Sequence, residues 1–250
     1  MSDLIIGRNA CLEALKAGRE IEKLRVLDSK EGKTEGSLLK IIAQAKDRGI
    51  PVYPASRQTL DAMAGGKNHQ GVIAAAAAYK YSSVDDLLQH AANRGEPPFL
   101  ILLDGIEDPH NLGAIMRTAE CAGAHGIIIP ERRSASVNAT VMKTSAGAAE
   151  FIRCARVANM TRTIESLKER GVWIYGCDMD GASCFGTDLT GPAAIVIGNE
   201  GKGISRLVRE KCDFIISIPM KGQINSLNAS NAAAIVIYEI LRQRAGGESV

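Results

Sequence analysis

Aromatic residues are nearly missing from this chain: Phe, Tyr and Trp make up 4% of its 250 residues, with a single Trp. The core therefore has to be aliphatic and rich in alanine, which suits close packing of helices on a sheet. Metal-ligand spacing is missing too. The six cysteines contain no C-x-x-C, and the four histidines form no H-E-x-x-H, which excludes the familiar zinc classes. Cysteines scattered in this way read as small buried hydrophobes in a reducing compartment. No charged leader followed by an apolar run opens the chain, and no apolar stretch reaches the roughly 18 residues of a membrane span. The expectation is a soluble, cytoplasmic protein with no membrane contact and no metal.

Charge of one sign is also scarce, with a net charge of +2. Residues 1–80 hold 13 Lys and Arg against 9 Asp and Glu, while residues 81–250 hold 17 against 19. A mildly basic front is compatible with nucleic acid, but many neutral binders share it.

What the chain does have is alternation of helical and extended patterns. In residues 1–78, Asn9 is placed to cap a helix through Leu12 and Leu15. Ser37 opens a second helix with Leu38, Ile41 and Ala45 on one face, and Ser56 caps a third. Extended runs at Lys23–Leu27, Pro51–Tyr53 and Gly71–Ile73 lie between them, and the alanine run 74–78 reads as a buried strand. This predicts a small α/β domain, then a linker at 79–83, then a larger domain over 84–250. Within the latter, apolar runs at Phe99–Leu103, Gly126–Ile129, Ile152–Val157, Val172–Cys177, Ala193–Gly198 and Phe214–Ile218 are separated by helical segments. Continuous apolar strands of this kind predict a parallel sheet covered on both faces. The final helix, from about Ser226 to Arg244, is apolar on nearly every side, which marks it as deeply buried or as a subunit interface; the interface is the favoured reading.

Three stretches of this second domain share one design. Asp104–Ala119, Ile195–Gly203 and Ile218–Ser230 each run from an apolar strand into a loop of Gly, Pro, Asn and carboxylate and on towards a helix. Loops at the carboxyl ends of buried strands are where α/β proteins bind ligands. Gly198-Asn199-Glu200-Gly201-Lys202-Gly203 is not a phosphate-binding P-loop, because Val196 and Gly203 occupy the positions of its first Gly and its Ser/Thr. It is not a dinucleotide fingerprint either, since it reads G-x-x-G-x-G and comes late in the sheet. Asn111 and Arg117 stand about two turns apart on one predicted helix. Asn225, Ser226, Asn228, Ser230 and Asn231 exceed what capping alone requires.

Read together, D-G-I-E-D-P-H-N-L-G-A-I-x-R-T-A, I-V-I-G-N-E-G-K-G and I-P-M-x-G-x-I-x-S-L-N-A-S resemble the three motifs of the SpoU/TrmH family of RNA ribose 2′-O-methyltransferases. The likeness covers residues from about Phe99 to Arg244. Ile6-Gly7-Arg8-Asn9, Leu12-Glu13-Ala14-Leu15 and His69-Gln70-Gly71-Val72 resemble the family's accessory domain, which is similar to ribosomal protein L30e. The pairing is most similar to the branch that methylates a guanosine in the P-loop of bacterial 23S rRNA.

The resemblance implies an α/β, trefoil-knotted parallel-sheet (SPOUT) methyltransferase domain behind a small L30e-like domain, and a homodimer formed through the C-terminal domain. It implies S-adenosylmethionine as cofactor, held mostly through backbone groups by Gly198, Ile218 and Leu227. Ile197, Asn199, Gly201 and Met220 line the same pocket, with Gly176 and Cys177 near the adenosine. The implied reaction is attack of a ribose 2′-hydroxyl on the sulfonium methyl. Arg117 is the implied essential residue, as base or as a cation stabilising the developing alkoxide; a guanidinium stays protonated in proteins, which speaks against the base. Asn111 would orient Arg117, Glu200 would pair with it or position the ribose, and Ser226 and Asn228 would bind backbone or ribose oxygens. Arg8 and Asn9 are the implied RNA contacts, with a solvated charge the equal alternative for Arg8. The rival readings are a tRNA 2′-O-methyltransferase of the same family and a non-catalytic RNA-binding or ribosome-assembly protein.

Overall fold

The computed structural model describes residues 3–16, 21–28, 36–76, 79–223 and 226–246. It divides into two compact units, residues 1–80 and 81–250. Tyr81 and Ser82 are tied into the second: the Tyr81 hydroxyl accepts from Val137 N at 3.0 Å, and Ser82 N donates to Cys154 O at 2.9 Å.

The first unit is a four-stranded mixed sheet. Its strands are β1 (Asp3–Ile6), β2 (Ile21–Leu27), β3 (Val52–Ala55) and β4 (Val72–Ala76), in the order β1-β4-β2-β3, and its helices are α1 (Arg8–Lys16), α2 (Ser37–Asp47) and α3 (Arg57–Ala64). Alanine in β4 is explained by its place in this sheet. Val72, Ala74 and Ala76 pack with α1 and α2, Ile73 packs with α3, and all five strand residues are buried. A strand covered on both faces takes small side chains whatever their helix propensity. Residues 77 and 78, the end of the predicted run, lie outside the described residues. Asn9 does not cap a helix: α1 already includes Arg8, and Asn9 sits in its first turn. The turn ahead of it uses Gly7 at φ +95°, a conformation open to glycine at no steric cost.

The second unit holds a six-stranded, wholly parallel sheet. Its strands are β5 (Phe99–Asp104), β6 (Gly126–Pro130), β7 (Cys154–Val157), β8 (Trp173–Ser183), β9 (Ala193–Gly198) and β10 (Phe214–Ser217), in the order β10-β8-β9-β5-β6-β7. Helices α4 (Val84–Arg94), α5 (Pro109–Cys121), α6 (Ala139–Thr144), α7 (Met160–Glu169), α8 (Arg206–Arg209) and α9 (Ala229–Arg244) complete it. Leu100, Leu102, Val196 and Ile174 pack with Leu87 of α4, Ile164 and Leu167 of α7 and Val208 of α8. The alternate residues Ile101, Leu103, Ile195 and Ile197 are as deeply buried and point to the opposite face. On that side α9 packs on β9 and against α5. The chain leaves β5 towards β6 and leaves β9 towards β10, in opposite directions across the sheet. The crevice between the carboxyl ends of β5 and β9 is thus a topological switch point, where ligands of open α/β sheets bind.

Two elements depart from the sequence-based expectation. β8 runs six residues past Cys177, through a polar stretch with no strand signal. The last helix starts at Ala229 rather than Ser226, because Asn228 caps it by accepting from Ser230 N and Asn231 N. No helix among the described residues is long and apolar enough to cross a membrane.

Candidate active site

The three loops meet through side chains. At the switch point, Asp104 ends β5 and accepts from Ser205 N at 2.7 Å. Gly105 follows at φ +83°, and its carbonyl accepts from Asn199 Nδ2 at 2.9 Å. Asp108 then caps α5 by accepting from His110 N, and Pro109 fills the first helical position, where no amide proton is missed.

The loop after β9 closes on itself. Asn199 and Gly203 exchange backbone hydrogen bonds at 3.0 and 2.8 Å, and Asn199 Oδ1 accepts from Gly201 N and Lys202 N at 3.0 and 3.2 Å. Gly198 permits this closure. A β-carbon there would lie 2.2 Å from Gly203 C and 2.3 Å from Ile204 N, closer than backbone atoms allow. The closed loop extends Glu200 towards the starts of two helices. Its Oε1 accepts from Asn111 Nδ2 at 2.8 Å, from Asn228 Nδ2, and from Ala229 N at 3.4 Å. Asn228 Nδ2 also reaches Asn111 Oδ1 at 3.1 Å. One residue from each motif stretch thus enters a single polar joint.

Beside the joint lies a cavity of about 780 Å³. Ten of the residues expected at the site line it: Cys177, Ile197, Gly198, Asn199, Glu200, Gly201, Ile218, Met220, Ser226 and Leu227. Gly176 does not; its α-carbon is packed under Ile215, Cys212 and Ile204. Asn111 and Asn228 reach the site only through Glu200. Asn225 lies outside the described residues. The wall also includes Asp178, Met179, Lys202, Ile216, Pro219 and Val236. Asp178 and Met179 follow directly on the expected end of β8, where the strand-end rule gave a signal that their polar context hid. Burial pushes the Cys177 thiol well above its usual range, which disfavours the thiolate a nucleophile needs.

Arg117 stands apart. It belongs to the exposed stripe His110, Arg117 and Cys121 of α5, does not line the cavity, and makes no hydrogen bond or ion pair among the described residues. Among the described residues neither Asn111 nor Glu200 meets Arg117: Asn111 is buried and spends both ends of its amide on Glu200 and Asn228. Arg8 and Asn9, in the first unit, border a small cleft with Ser37 and Gln70. There Arg8 Nε donates to Gln70 O at 2.8 Å and Arg8 N to Gln70 Oε1 at 3.0 Å. No cluster of three His, Cys, Asp or Glu that would hold a metal ion occurs among the described residues.

Known proteins resemble this chain in sequence and fold. Residues 98–238 match the SpoU rRNA methylase family, and residues 4–82 match the RNA 2′-O ribose methyltransferase substrate-binding domain. The chain is 49% identical over 243 residues to YacO of Bacillus subtilis (strain 168), named as a TrmH-family tRNA/rRNA methyltransferase, covering 97% of this chain and 96% of YacO. A Staphylococcus haemolyticus protein named in the same way is 43% identical, with 98% and 97% covered. Among solved structures, the SpoU methyltransferase AviRb of Streptomyces viridochromogenes in complex with AdoMet superposes with a TM-score of 0.67 at 25% identity, over 98% of this chain and 91% of AviRb. The AdoMet-bound rRNA methyltransferase of Sinorhizobium meliloti gives 0.65 at 26% identity, over 97% and 87%. With family models matched over residues 4–82 and 98–238 and 49% identity to a relative along nearly its whole length, the chain belongs to the SpoU/TrmH family of RNA methyltransferases.

Proposed function

We propose that this enzyme transfers a methyl group from S-adenosylmethionine to a ribose 2′-hydroxyl of RNA, and that its target is a guanosine in the P-loop of 23S rRNA. The observation that carries this reading is the Asn111–Glu200–Asn228 joint, which gathers all three motif loops at the rim of one cavity.

The cavity fits the methyl donor. Its volume lies in the range of small-molecule sites, and its walls are mostly apolar with a few convergent polar groups. Ile197, Ile218 and Leu227 offer surface for a flat base, while Gly198, Gly201 and Met220 leave backbone groups within reach. When bound, the cofactor supplies an electrophilic methyl on a sulfonium. Everything else falls to the chain. The hydrogen-bonded loops form a preset wall, and such fixed placement of reactants lowers a barrier by roughly 7–11 kcal/mol. Arg117 acts as a cation rather than as a base. A guanidinium keeps its proton, and it stabilises negative charge developing on the ribose oxygen beside the RNA phosphate. Its exposure, with no partner among the described residues, leaves it available to RNA.

Residues 1–78 form the substrate-binding domain, in which Arg8 and Asn9 contact RNA, and residues 84–250 form the catalytic, trefoil-knotted domain. The enzyme works in the cytoplasm as a homodimer joined through the catalytic domain. The half-buried Ile235 and Leu241 and the exposed Tyr238 on α9 support that surface. The relatives' names span tRNA and rRNA, so tRNA is the second reading. The protein is incubated with labelled S-adenosylmethionine and unmodified 23S rRNA fragments or tRNA, and ribose methylation is mapped. Transfer to the P-loop guanosine is the expected result. Transfer to tRNA alone would sink the rRNA target, and transfer to no RNA would sink the enzymatic reading.

A further inference from the structure

β8 breaks register against β10. Gly176 pairs with Ile215 and Ala182 with Ile216, so residues 177–181 leave the ladder while β10 advances by a single residue. Gly181 makes the excursion possible, because a β-carbon there would sit 2.5 Å from the carbonyl group of Ile215. The excursion places Cys177, Asp178 and Met179 in the cavity wall. Arg209, from α8, spans its two carboxylates: Nη1 donates to Asp178 Oδ2, and Nη2 donates to both Asp180 oxygens at 2.8 Å. Asp178 Oδ1 accepts in addition from Met179 N at 2.8 Å. A planar fork bound to two carboxylates fixes their geometry in a way a single flexible ion pair does not.

The two carboxylates lining the cavity therefore differ. Glu200 Oε1 is filled by three donors of the joint. Asp178 is locked in place, yet among the described residues two donors meet its carboxylate, which has roughly four acceptor positions. Arg209 is ion-paired with both Asp178 and Asp180 and offsets part of their charge. What remains on offer at Asp178 is a pair of oriented lone pairs on a carboxylate whose charge a guanidinium already partly answers, which suits neutral hydrogen-bond donors.

We propose that Asp178 is a specificity-determining residue for the methyl donor, accepting hydrogen bonds from the two ribose hydroxyls of its nucleoside, and that Arg209 is its positioning residue. This rests on the reading of the cavity as the methyl-donor site. A vicinal diol presents two adjacent donors, matching the two acceptor positions left on Asp178. The carboxyl end of a parallel strand is also where an acidic side chain meets a ribose in other α/β sheets.

Calorimetric titration of the full-length protein tests it with three probes: S-adenosylhomocysteine, 5′-methylthioadenosine, which keeps the ribose and lacks the amino acid, and the 2′,3′-dideoxy form of the latter. Asp178→Asn is expected to weaken the first two by about tenfold or more and to leave the third unchanged. Arg209→Gln should weaken the same two by a smaller factor, with Arg209→Lys recovering part of the loss and Arg209→Gln adding nothing on top of Asp178→Asn. Thermal unfolding of each variant separates lost binding from lost fold, and Asp180→Asn, which loosens the clamp without removing the cavity carboxylate, should cost less than Asp178→Asn. Wild-type affinities in Asp178→Asn would overturn the proposal and leave the methyl-donor site standing. So would a loss on S-adenosylhomocysteine alone, because the carboxylate would then face the amino-acid end. Failure of the wild-type protein to bind any of the probes would overturn both.

Discussion

Asn111 and Arg117 stand on the same helix, and the molecule treats them in opposite ways. Asn111, at the start of α5, is 7% exposed and has both ends of its amide bonded across to the second and third motif loops. Arg117, six positions on and about 120° around the helix, faces outward with no partner among the described residues. The contrast separates two kinds of motif residue. Asn111, Glu200 and Asn228 build the site, and their partners are already inside the protein. Arg117 is exposed, and the partner proposed for it, RNA, lies outside the chain. Stability and catalysis should then respond to different substitutions.

The largest effect is expected from Arg117→Ala. Removing a group that stabilises charge only as it develops costs about 10²–10³-fold in rate, while an exposed, unpartnered side chain contributes less than about 0.5 kcal/mol to the fold. Methyl incorporation should collapse with the melting temperature and methyl-donor affinity intact. Undiminished incorporation would remove Arg117 from the mechanism.

Glu200→Ala should give the reverse signature. The buried Asn111 amide, the Asn228 amide and Ala229 N lose their common acceptor, and an orphaned buried donor costs about 1–3 kcal/mol. Because Glu200 is itself exposed, water replaces part of the loss, and about 1 kcal/mol is expected. Denaturant unfolding should show that loss together with weakened methyl-donor binding. An unchanged midpoint would mean that the joint does not hold the loops.

Asn111→Asp sharpens the same point through pH. The substitution sets a second carboxyl against Glu200, whose Oε1 now takes the amide proton at 2.8 Å. Two carboxylates at that distance raise the proton affinity of the pair in the folded state. A folded-state pKa above its unfolded value contributes stability at low pH that is lost as pH rises through it. The stability gap between variant and wild type should therefore narrow as pH is lowered from 7 towards 4, by about 1 kcal/mol for each unit of displacement. A gap independent of pH would place the two side chains apart.

The sequence made these residues visible as types but not as partners. β5 and β9 were legible because both faces of each are buried, and a short uninterrupted apolar run between turn residues fits little besides a strand covered on both sides. The Ser56 cap was legible because it acts locally, within three residues. Asn111, Glu200 and Asn228 were each identified, but their contacts span 28 to 117 positions, a range at which local pattern carries no information. The excursion 177–181 was missed for a related reason. Its polar residues lack strand periodicity, and what holds them in place is Arg209, some thirty positions later.

The smallest effect is expected at Glu120. It stands one turn beyond Arg117, at the spacing where opposite charges on a helix stabilise each other by about 0.2–0.5 kcal/mol. If the pair formed, the guanidinium would be a surface ornament of α5 with its charge already answered. It does not form among the described ion pairs, and both side chains are exposed. Glu120→Ala should then leave stability within about 0.5 kcal/mol and methyl incorporation at the wild-type rate, both measured over a range of salt concentrations, since an ion pair hidden at high ionic strength would emerge at low. A change in rate that grows as salt is removed would show that Glu120 engages Arg117 in solution. The line between built-in and reserved residues on α5 would then have to be drawn elsewhere.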